Sequence, residues 1–338
     1  MLIKNLPQKM QAVLLDENGR LKVDYIPLSL PGPGQVLIRM AAAPINPSDL
    51  GFLKGSYGVQ KQFPVVPGFE GSGTVIAAGP GLIPRLWSGR RVTCSASKGG
   101  TWAEFLLAPA ATCFPLAKHL SLEQGATLIV NPLTALAFFD IAKRGKHAAI
   151  ISNAAAGALG QMILRLGQTV HMPVIHIVRR KEQVELLRSL GGEYILNSTD
   201  SDFDDQLRTL SWKLMATLIL DPVAGEQTHH LLDAAPNGST ALIYGFLSGS
   251  KEDNLSGNGS KRVEGFYLPD WIAKKSLLKV FLDMQRVQRL AAHELQTTIH
   301  KRLPLSEVLQ AIVLYQTNPT AGKILLVADN EKIPGDLL

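Results

Sequence analysis

Apolar and polar residues are arranged differently in the first third of the chain and in the part that follows it. Up to about residue 125, short apolar runs at 11–15, 35–39 and 73–77 are separated by turns rich in Pro and Gly, such as 31–34 and 79–81. Apolar runs that are bounded by such turns are typical of β-strands. The first third of the chain is therefore predicted to form an irregular β-barrel or β-sandwich.

Beyond this part, from about residue 147 to residue 268, apolar strands alternate with segments of helical length. Strand-like runs occur at 148–152, 174–178, 194–196, 217–220 and 240–244, and apolar positions at helical spacing occur at 158–167 and 182–190. Strands that are separated by helices favour right-handed βαβ crossovers and a parallel sheet covered on both faces. A long helical stretch from Trp271 to about Leu290 is predicted next, and a strand at 322–327 returns near the end. The predicted fold class is α/β.

Composition excludes several classes of protein. Among 338 residues, 46% are hydrophobic and 18% are charged, which excludes a disordered or fibrous chain. No apolar run reaches the roughly 18 residues of a membrane span, and the first ten residues lack the apolar run of a signal peptide. The two cysteines, Cys94 and Cys113, exclude a disulfide framework and suit a reducing compartment, so we expect a cytoplasmic protein.

The net charge of +6 arises from 34 Lys and Arg against 28 Asp and Glu. The basic residues are scattered and form no run of the kind that binds nucleic acid. A small ligand that carries phosphate explains the local basic clusters equally well, so the charge alone decides little about the partner. We expect neither a nucleic-acid nor a membrane partner.

The segment 153–160, with the sequence NAAAGALG, stands where the first α/β strand is expected to turn into its helix. Gly157 and Gly160 have the spacing of a dinucleotide-binding fingerprint, although Ala154 replaces its first glycine. Backbone N–H groups and the positive end of a helix dipole bind a pyrophosphate at such a turn. We predict that Ala156, Gly157, Ala158 and Leu159 contact the cofactor; a tight β–α turn without a ligand is the alternative.

The residues after the second α/β strand indicate which dinucleotide is bound. NAD-binding units usually place Asp or Glu there, on the ribose 2′-hydroxyl, whereas Val178 is followed here by Arg179, Arg180 and Lys181. A guanidinium group suits the 2′-phosphate of NADP. The predicted cofactor is therefore NADPH, held in part by Arg179 and Arg180; a solvated helix start is the alternative.

Taken together, the motifs resemble the zinc-independent medium-chain dehydrogenases/reductases, in the group of quinone oxidoreductases and enoyl thioester reductases. The resemblance spans nearly the whole chain and is carried by residues 44–49, 55–58, 67–71, 100–105, 131–135, 154–160, 221–223 and 322–323. It implies a GroES-like β-rich catalytic domain at 1–127 and 269–338. It also implies a Rossmann cofactor domain, with a doubly wound parallel sheet, at 128–268. Members are often homodimers through the edge of the cofactor sheet, and we expect the same here.

The family's metal-dependent branch holds a catalytic zinc with Cys, His or Glu, and Cys. Here Asn46 falls in the region of the first cysteine, Phe69 replaces the histidine, and the third position, near 131–133, has no Cys. The cysteine-rich lobe that would hold a structural zinc is also missing. Without these ligands no zinc can be held, and we predict no metal site.

The resemblance also implies which residues take part in catalysis. Tyr57 matches a tyrosine near the substrate, and a phenol can donate a hydrogen bond or a proton at neutral pH. Asn46 matches a position near the nicotinamide ribose and the substrate. The alternatives are a loop tyrosine that only packs and an asparagine that only shapes a turn.

Further residues match cofactor-contacting positions of the family. Thr134 contacts the nicotinamide side in the resemblance, or caps a helix instead. Gly245, Phe246 and Phe266 border the nicotinamide, although aromatic residues at strand ends are more often part of the core. Lys323 matches a lysine that begins a Gly-Lys strand, and we predict a cofactor contact for it.

The leading interpretation is an NADPH-dependent oxidoreductase that transfers a hydride to a small-molecule acceptor such as a quinone or an α,β-unsaturated carbonyl compound. One alternative within the same class is reduction of 2-enoyl thioesters of coenzyme A or acyl carrier protein. An alternative of another class is an NADPH-binding protein with a structural or RNA-binding role. The sequence does not identify the acceptor, because the loops that surround it have unknown geometry.

Overall fold

The structure is a computed structural model, and it describes residues 6–56, 62–249, 257 and 259–328. The described strands are β1 (Lys9–Leu15), β2 (Leu21–Pro27), β3 (Gln35–Pro44), β4 (Glu70–Ala78), β5 (Arg91–Ser95), β6 (Phe105–Pro109), β7 (Cys113–Pro115), β8 (Ala149–Ser152), β9 (Val174–Val178), β10 (Tyr194–Asn197), β11 (Ala216–Asp221), β12 (Thr240–Ile243), β13 (Arg262–Gly265), β14 (Ile299–Pro304) and β15 (Lys323–Val327). The described helices are α1 (Pro47–Leu53), α2 (Leu82–Trp87), α3 (Leu122–Gly125), α4 (Val130–Arg144), α5 (Ala158–Thr169), α6 (Lys181–Ser189), α7 (Phe203–Leu214), α8 (Glu226–Ala234), α9 (Leu268–Ala273), α10 (Leu277–Leu290) and α11 (Val308–Thr317).

Contacts between Cα atoms divide the chain into two units. The first takes in the chain up to Val130, Met284–Gln288 and the chain from Thr297 onward. The second takes in Asn131–Asp283 and Arg289–Gln296. The predicted boundary after residue 268 lies earlier than this division, because α9 and the first half of α10 belong to the second unit. The last strand of a sheet is visible in the sequence, but the packing of the helices that follow it is not.

The first unit is rich in β-structure. Its larger sheet has the strand order β14-β15-β3-β4-β5-β7, with β6 paired to β3, and β1 and β2 form a separate antiparallel pair. Alternating side chains of β3, such as Val36 and Ile38, are buried in one core with Val75 and Val92. The returning strand β15 pairs with the end of β3. The predicted β-rich domain with a C-terminal return is confirmed.

The second unit contains a sheet of six parallel strands in the order β10-β9-β8-β11-β12-β13. In chain order this is 3-2-1-4-5-6, the arrangement of the Rossmann fold. Both faces are covered: Ile151 packs with Leu207 on the side of α7 and α8, and Ile150 packs with Phe138 and Ile163 on the side of α4 and α5. The predicted doubly wound parallel sheet is confirmed.

The helical stretch predicted from Trp271 to about Leu290 is interrupted in the structure. Helix α9 ends at Ala273, and α10 begins at Leu277 with Ser276 as its N-cap residue. The Ser276 hydroxyl oxygen accepts a hydrogen bond from the N–H of Lys279 at 3.3 Å. Serine favours such a position because it satisfies an N–H group that lacks an intrahelical partner. The prediction missed this break because apolar residues continue at helical spacing on both sides of it, and only the cap residue Ser276 marks it.

Candidate functional site

The turn from β8 into α5 lies at the carboxyl edge of the parallel sheet. The neighbours of β8 are β9 on one side and β11 on the other, so the order of the strands reverses at this point. In sheets of this kind ligands bind in the crevice outside the carboxyl ends of the strands, at the point of reversal. The predicted dinucleotide loop, 153–160, is therefore at the expected edge.

The start of α5 offers backbone groups that can bind an anion. Helix α5 begins at Ala158, and its N-cap residue Gly157 has φ −69° and ψ 167°. Among the described residues, no acceptor receives the backbone N–H of Ala156, Ala158 or Leu159. Such N–H groups, together with the helix dipole, favour a phosphate at this point. The geometry fits the predicted contact with a pyrophosphate.

Glycine is needed at the two positions of the loop for different reasons. A Cβ atom at Gly160 would overlap the carbonyl oxygen of Ala155, so the folded backbone itself requires glycine there. At Gly157 a Cβ atom would make only an ordinary contact, 3.6 Å from the carbonyl oxygen of Ala154, and the backbone angles suit any residue. Folding does not explain this glycine, whereas close approach of a ligand does. The residues present thus fit a bound dinucleotide.

Ala154 stands where the dinucleotide fingerprint has its first glycine. Its φ of +49° lies in the left-handed region, which residues with a Cβ atom rarely adopt. The backbone therefore keeps the conformation for which the family normally uses glycine, although the residue has changed. Its N–H donates to the side-chain oxygen of Asn153 at 2.9 Å, which holds the turn in place.

Arg179 and Arg180 follow β9, and both are exposed. The backbone N–H of Arg179 donates to the side-chain oxygen of Gln183 at 3.1 Å. The turn after β10 lies beside them, because the N–H of Ser198 donates to the carbonyl oxygen of Val178 at 2.8 Å. The two guanidinium groups are thus available to an anionic ligand at the same sheet edge as the dinucleotide loop. That they bind a 2′-phosphate stays a prediction.

The residues predicted to border the nicotinamide lie in different surroundings. Gly245 follows β12 and lies against the turn after β11, since a Cβ atom would lie 2.9 Å from the carbonyl oxygen of Pro222. The side chain of Phe246 is 51% exposed, whereas the ring of Phe266 packs 4.9 Å from that of Phe138. Thr134 is buried within α4, past its first residues, so it is not the cap of this helix. Their contact with a nicotinamide stays a prediction.

Asp221 belongs to a segment that carries the family resemblance, 221–223, but the sequence assigned no role to it. It ends β11, it is fully buried, and its carboxylate accepts hydrogen bonds from Asn153, Val223, Ala224 and Thr228. A buried carboxylate is costly unless its oxygens are satisfied in this way. The signal was an acidic residue placed directly after an apolar run and before a proline, which is where a strand ends at the ligand edge.

In the first unit, four polar side chains form a buried cluster that we call the 46/49/70/323 cluster: Asn46, Asp49, Glu70 and Lys323. The Asn46 side-chain amide donates to Glu70 Oε1 at 3.0 Å, and its oxygen accepts from the Lys323 ammonium. Asp49 accepts from the backbone N–H of Asn46 at 2.8 Å and from that of Phe69 at 3.1 Å. The other Glu70 oxygen accepts from two backbone N–H groups at the start of α4, each at 2.9 Å.

Burial dominates the electrostatics of this cluster. It raises the pKa of Asp49 to about 7, against the opposing effect of the two backbone N–H donors and with a further contribution from nearby Glu70. Burial also raises the pKa of Glu70 and lowers that of Lys323, while the ammonium and the carboxylates favour each other's charged forms. The cluster therefore buries one ammonium group and two carboxyl groups that affect one another's charge, away from water.

This arrangement bears on two predicted site residues. Asn46 is 0% exposed and both ends of its amide are engaged within the first unit, and Lys323 is 3% exposed with its ammonium on Asn46. The structure thus brings a predicted catalytic residue and a predicted cofactor residue together. Glu70, which orients the Asn46 amide, was missed because an acidic residue next to Phe69 was considered only as part of a lost zinc motif.

Tyr57 falls within 57–61 and lies outside the described residues. In the part of the chain that the structure describes, no group of three or more His, Cys, Asp or Glu side chains is arranged to hold a metal ion. Cys94 and Cys113 are opposite each other on β5 and β7, and burial raises the pKa of Cys113 to about 12. The described helices include none that is both long and apolar enough to cross a membrane.

Comparison with known proteins shows the family of the chain. Residues 32–118 match the alcohol dehydrogenase GroES-like domain. The whole fold is similar to that of a protein from Mesorhizobium loti assigned as an NADPH:quinone reductase, with a TM-score of 0.86 and 30% identity, over 96% of this chain and 100% of that one. The chain belongs to the zinc-independent medium-chain dehydrogenases/reductases.

Curated relatives within this family have different names. The synaptic vesicle membrane protein VAT-1 homolog of Rattus norvegicus is 28% identical over 332 residues, which cover 89% of this chain and 79% of that protein. The mitochondrial enoyl-[acyl-carrier-protein] reductase of Mus musculus is 26% identical over 307 residues, which cover 85% and 81% respectively. As a member of the quinone reductase and enoyl reductase group, the chain is an oxidoreductase that uses a nicotinamide cofactor.

Proposed function

We propose that this medium-chain reductase uses NADPH to reduce a small-molecule acceptor with an activated double bond or a quinone ring. The observation that carries the proposal is at the start of α5. The folded backbone would accept a side chain at Gly157, so the space that this glycine leaves open is available to a ligand. Beside it, backbone N–H groups have no acceptor among the described residues. When bound, the nicotinamide supplies the hydride.

A preference for NADPH over NADH is supported by the end of β9. An NAD-binding unit usually has an acidic residue there, which would repel a 2′-phosphate. In this chain the strand ends at Val178 and exposes Arg179 and Arg180 instead. Guanidinium groups form strong, charge-assisted hydrogen bonds with phosphate oxygens.

The acceptor that we favour is a quinone or an α,β-unsaturated carbonyl compound. The similarity to the Mesorhizobium loti protein, which is assigned as a quinone reductase, supports the first of these. Similarity to a mitochondrial enoyl-[acyl-carrier-protein] reductase supports a second candidate, reduction of 2-enoyl thioesters. The net charge of +6 suits the phosphate groups of a thioester carrier.

Tyr57 is our candidate for donating a hydrogen bond or a proton to the reduced acceptor. If its hydroxyl stabilises the developing oxyanion, Tyr57→Phe should lower kcat by about 10²- to 10³-fold, because such a donor acts mainly in the transition state. A ring that only packs would leave kcat unchanged in the same variant. Steady-state kinetics with an accepted substrate distinguish the two outcomes.

The proposed reaction is tested by following NADPH absorbance at 340 nm with purified protein. The acceptors are 1,4-benzoquinone, 9,10-phenanthrenequinone, an α,β-unsaturated ketone and crotonyl-coenzyme A. Oxidation of NADPH with a quinone or the ketone supports the leading proposal, and oxidation with crotonyl-coenzyme A alone supports the thioester alternative. Tight NADPH binding without turnover of any acceptor, together with RNA retention at physiological salt, would instead favour a binding protein.

We further propose a homodimer that forms through β13, the edge strand of the six-stranded sheet. The N–H groups of Arg262 and Phe266 donate inward, to Ser239 and Ile243, so the alternate groups of Val263 and Gly265 face away from the sheet. An edge of this kind can pair with a second copy. Gly265→Pro removes one outward N–H, and a Cβ atom at this position would have no heavy atom within 4 Å. We expect this variant to convert a dimer into a monomer in light scattering. A wild-type monomer would contradict the proposal.

A further inference from the structure

At the carboxyl edge of the Rossmann sheet, two loops meet at the side chain of Asp221, and a third lies against the turn that this side chain shapes. These loops follow β8, β11 and β12, and Asp221 itself is the last residue of β11. The side chain is 0% exposed, and its four hydrogen-bond partners are all donors from these elements or from the start of α8. We call Asp221 and these four partners the Asp221 network.

The first connection runs to the dinucleotide loop. The amide of Asn153 donates to Asp221 Oδ1 at 2.9 Å, and its oxygen accepts from the N–H of Ala154 at 2.9 Å. Ala154 has the left-handed φ of +49°, a conformation that persists in a residue with a Cβ atom only where surrounding contacts enforce it. Asp221 thus orients the amide that holds Ala154 in its strained conformation.

The second connection shapes the turn that follows β11. Asp221 Oδ1 accepts from the N–H of Val223 at 2.8 Å, and Oδ2 accepts from the N–H of Ala224 at 3.3 Å and from the Thr228 hydroxyl at 2.7 Å. Ala224 also has a left-handed φ, of +65°. A second strained alanine is therefore held by the same carboxylate.

The third connection passes from this turn to the segment after β12. The carbonyl oxygens of Pro222 and Val223 accept from the N–H groups of Leu247 and Ser248, at 2.9 and 3.0 Å. The close approach also explains Gly245, where a Cβ atom would lie 2.9 Å from the Pro222 oxygen. The segment that carries Gly245 and Phe246 is thereby held against the turn that Asp221 shapes.

We infer that Asp221 is a positioning residue for the cofactor: it holds the dinucleotide loop and the 245–248 segment in one geometry. The inference rests on the proposed function, in which these two segments contact the pyrophosphate and the nicotinamide. Arg179 and Arg180, proposed for the 2′-phosphate, share no described hydrogen bond with the Asp221 network. The network should therefore affect binding of the pyrophosphate and nicotinamide portion and leave the 2′-phosphate portion unchanged.

The test compares two ligands, NADPH and adenosine 2′-monophosphate, by calorimetry on the purified full chain. In Asp221→Asn the new amide nitrogen faces groups that are themselves donors, so part of the network is lost. We expect the Kd of NADPH to rise at least tenfold, and the Kd of adenosine 2′-monophosphate to stay within twofold. The matched control is Asp140→Asn, which removes an exposed carboxylate that pairs with Arg144 on α4, and both Kd values should stay within twofold.

A second pair of variants protects the test against simple misfolding. Asn153→Ala removes only the link between Asp221 and the loop, and it should give the same difference between the two ligands. The exchanged pair Asn153→Asp with Asp221→Asn restores one donor and one acceptor between these positions, and we expect part of the NADPH affinity to return.

Specific results would overturn the inference. An unchanged Kd for NADPH in both single variants shows that the network does not position the cofactor. Equal loss of both ligands shows a structural role in the whole unit. Failure of the wild-type protein to bind NADPH would instead refute the proposed function, so the two failures are distinguishable.

Discussion

Gly157 and Gly160 show at the scale of single residues how a fold and a ligand make separate demands on the same loop. Glycine at 160 is required because the carbonyl oxygen of Ala155 occupies the place of a side chain. Glycine at 157 leaves space that the described residues do not need. The spacing of the two glycines predicted the loop, whereas only the backbone coordinates separate these causes.

Substitution of these glycines should therefore separate stability from cofactor binding. Gly157→Ser places a good N-cap residue at an N-cap conformation, so we expect an unchanged or higher free energy of unfolding. Its side chain occupies the phosphate space, and the Kd of NADPH should rise at least tenfold. Gly160→Ala should instead destabilise the protein by about 1–3 kcal/mol through overpacking. Urea unfolding measures the change in stability, and calorimetry measures the change in the Kd of NADPH. If Gly157→Ser destabilised the protein, the fold rather than a ligand would require glycine at this position.

Arg179 provides a second prediction for a single residue. If its guanidinium group binds the 2′-phosphate, Arg179→Ala should weaken NADPH binding about ten- to hundredfold, the value of a charge-assisted hydrogen bond. NADH lacks this phosphate, so its Kd should hardly change. Arg208→Ala, which removes an exposed arginine from α7, serves as the control. Equal loss of both cofactors would mean that Arg179 supports only the fold.

At the scale of secondary-structure elements, the 46/49/70/323 cluster joins the start of α1, the first residue of β4 and the first residue of β15. The pairing of β15 with β3 brings Lys323 to Asn46, although the two are far apart in sequence. Buried charges persist only where partners satisfy them. The cluster therefore depends on the return of the C-terminal strand to the first unit.

This cluster predicts a pH dependence of stability. Burial raises the pKa of Asp49 in the folded state to about 7 from an ordinary value of 3.8. The folded state thus binds the proton more tightly, and this contribution to stability, complete below about pH 4, is lost as the pH rises through 7. Relative to Asp49→Asn, the wild-type free energy of unfolding should fall by up to about 1.4 kcal/mol per pH unit in this interval. The prediction would be contradicted if the free energies of unfolding of the wild type and of Asp49→Asn, measured in urea, changed with pH in the same way.

At the scale of the whole molecule, the chain combines a β-rich unit formed from both ends with a Rossmann unit formed mainly from its middle. The family's metal-dependent branch places a catalytic zinc in the β-rich unit. Asn46 and Phe69 occupy two of those ligand positions here, and Asn46 is engaged with Glu70 and Lys323. The ammonium group of Lys323 therefore lies directly on the side chain of Asn46.

We predict that activity does not depend on a metal. Dialysis against a strong chelator should leave NADPH oxidation and the thermal unfolding temperature unchanged, because no ligand set for zinc is expected from the sequence. Elemental analysis of the purified protein should find no stoichiometric zinc. Loss of activity on chelation, with recovery on addition of zinc, would refute the prediction.

Local sequence patterns were enough to predict the fold class, the parallel sheet and the position of the dinucleotide loop. Apolar periodicity records which side chains are buried, and turn residues record where strands end, so both are local properties of the chain. The break before α10 was missed for the same reason, since the apolar spacing continues across Ser276 and only the cap interrupts the helix.

The way in which residues distant in the sequence share a site became clear only from the packing of the folded chain. Asp221 could be recognised as the junction of the loops after β8 and β11, beside the segment after β12, only after these three strands were placed side by side. Lys323 was predicted as a cofactor contact, and its ammonium lies on Asn46 because β15 pairs with β3. Hydrogen bonds between such residues depend on strand order and register, which no local pattern encodes, and the geometry of the site was therefore fixed by the pairing of strands.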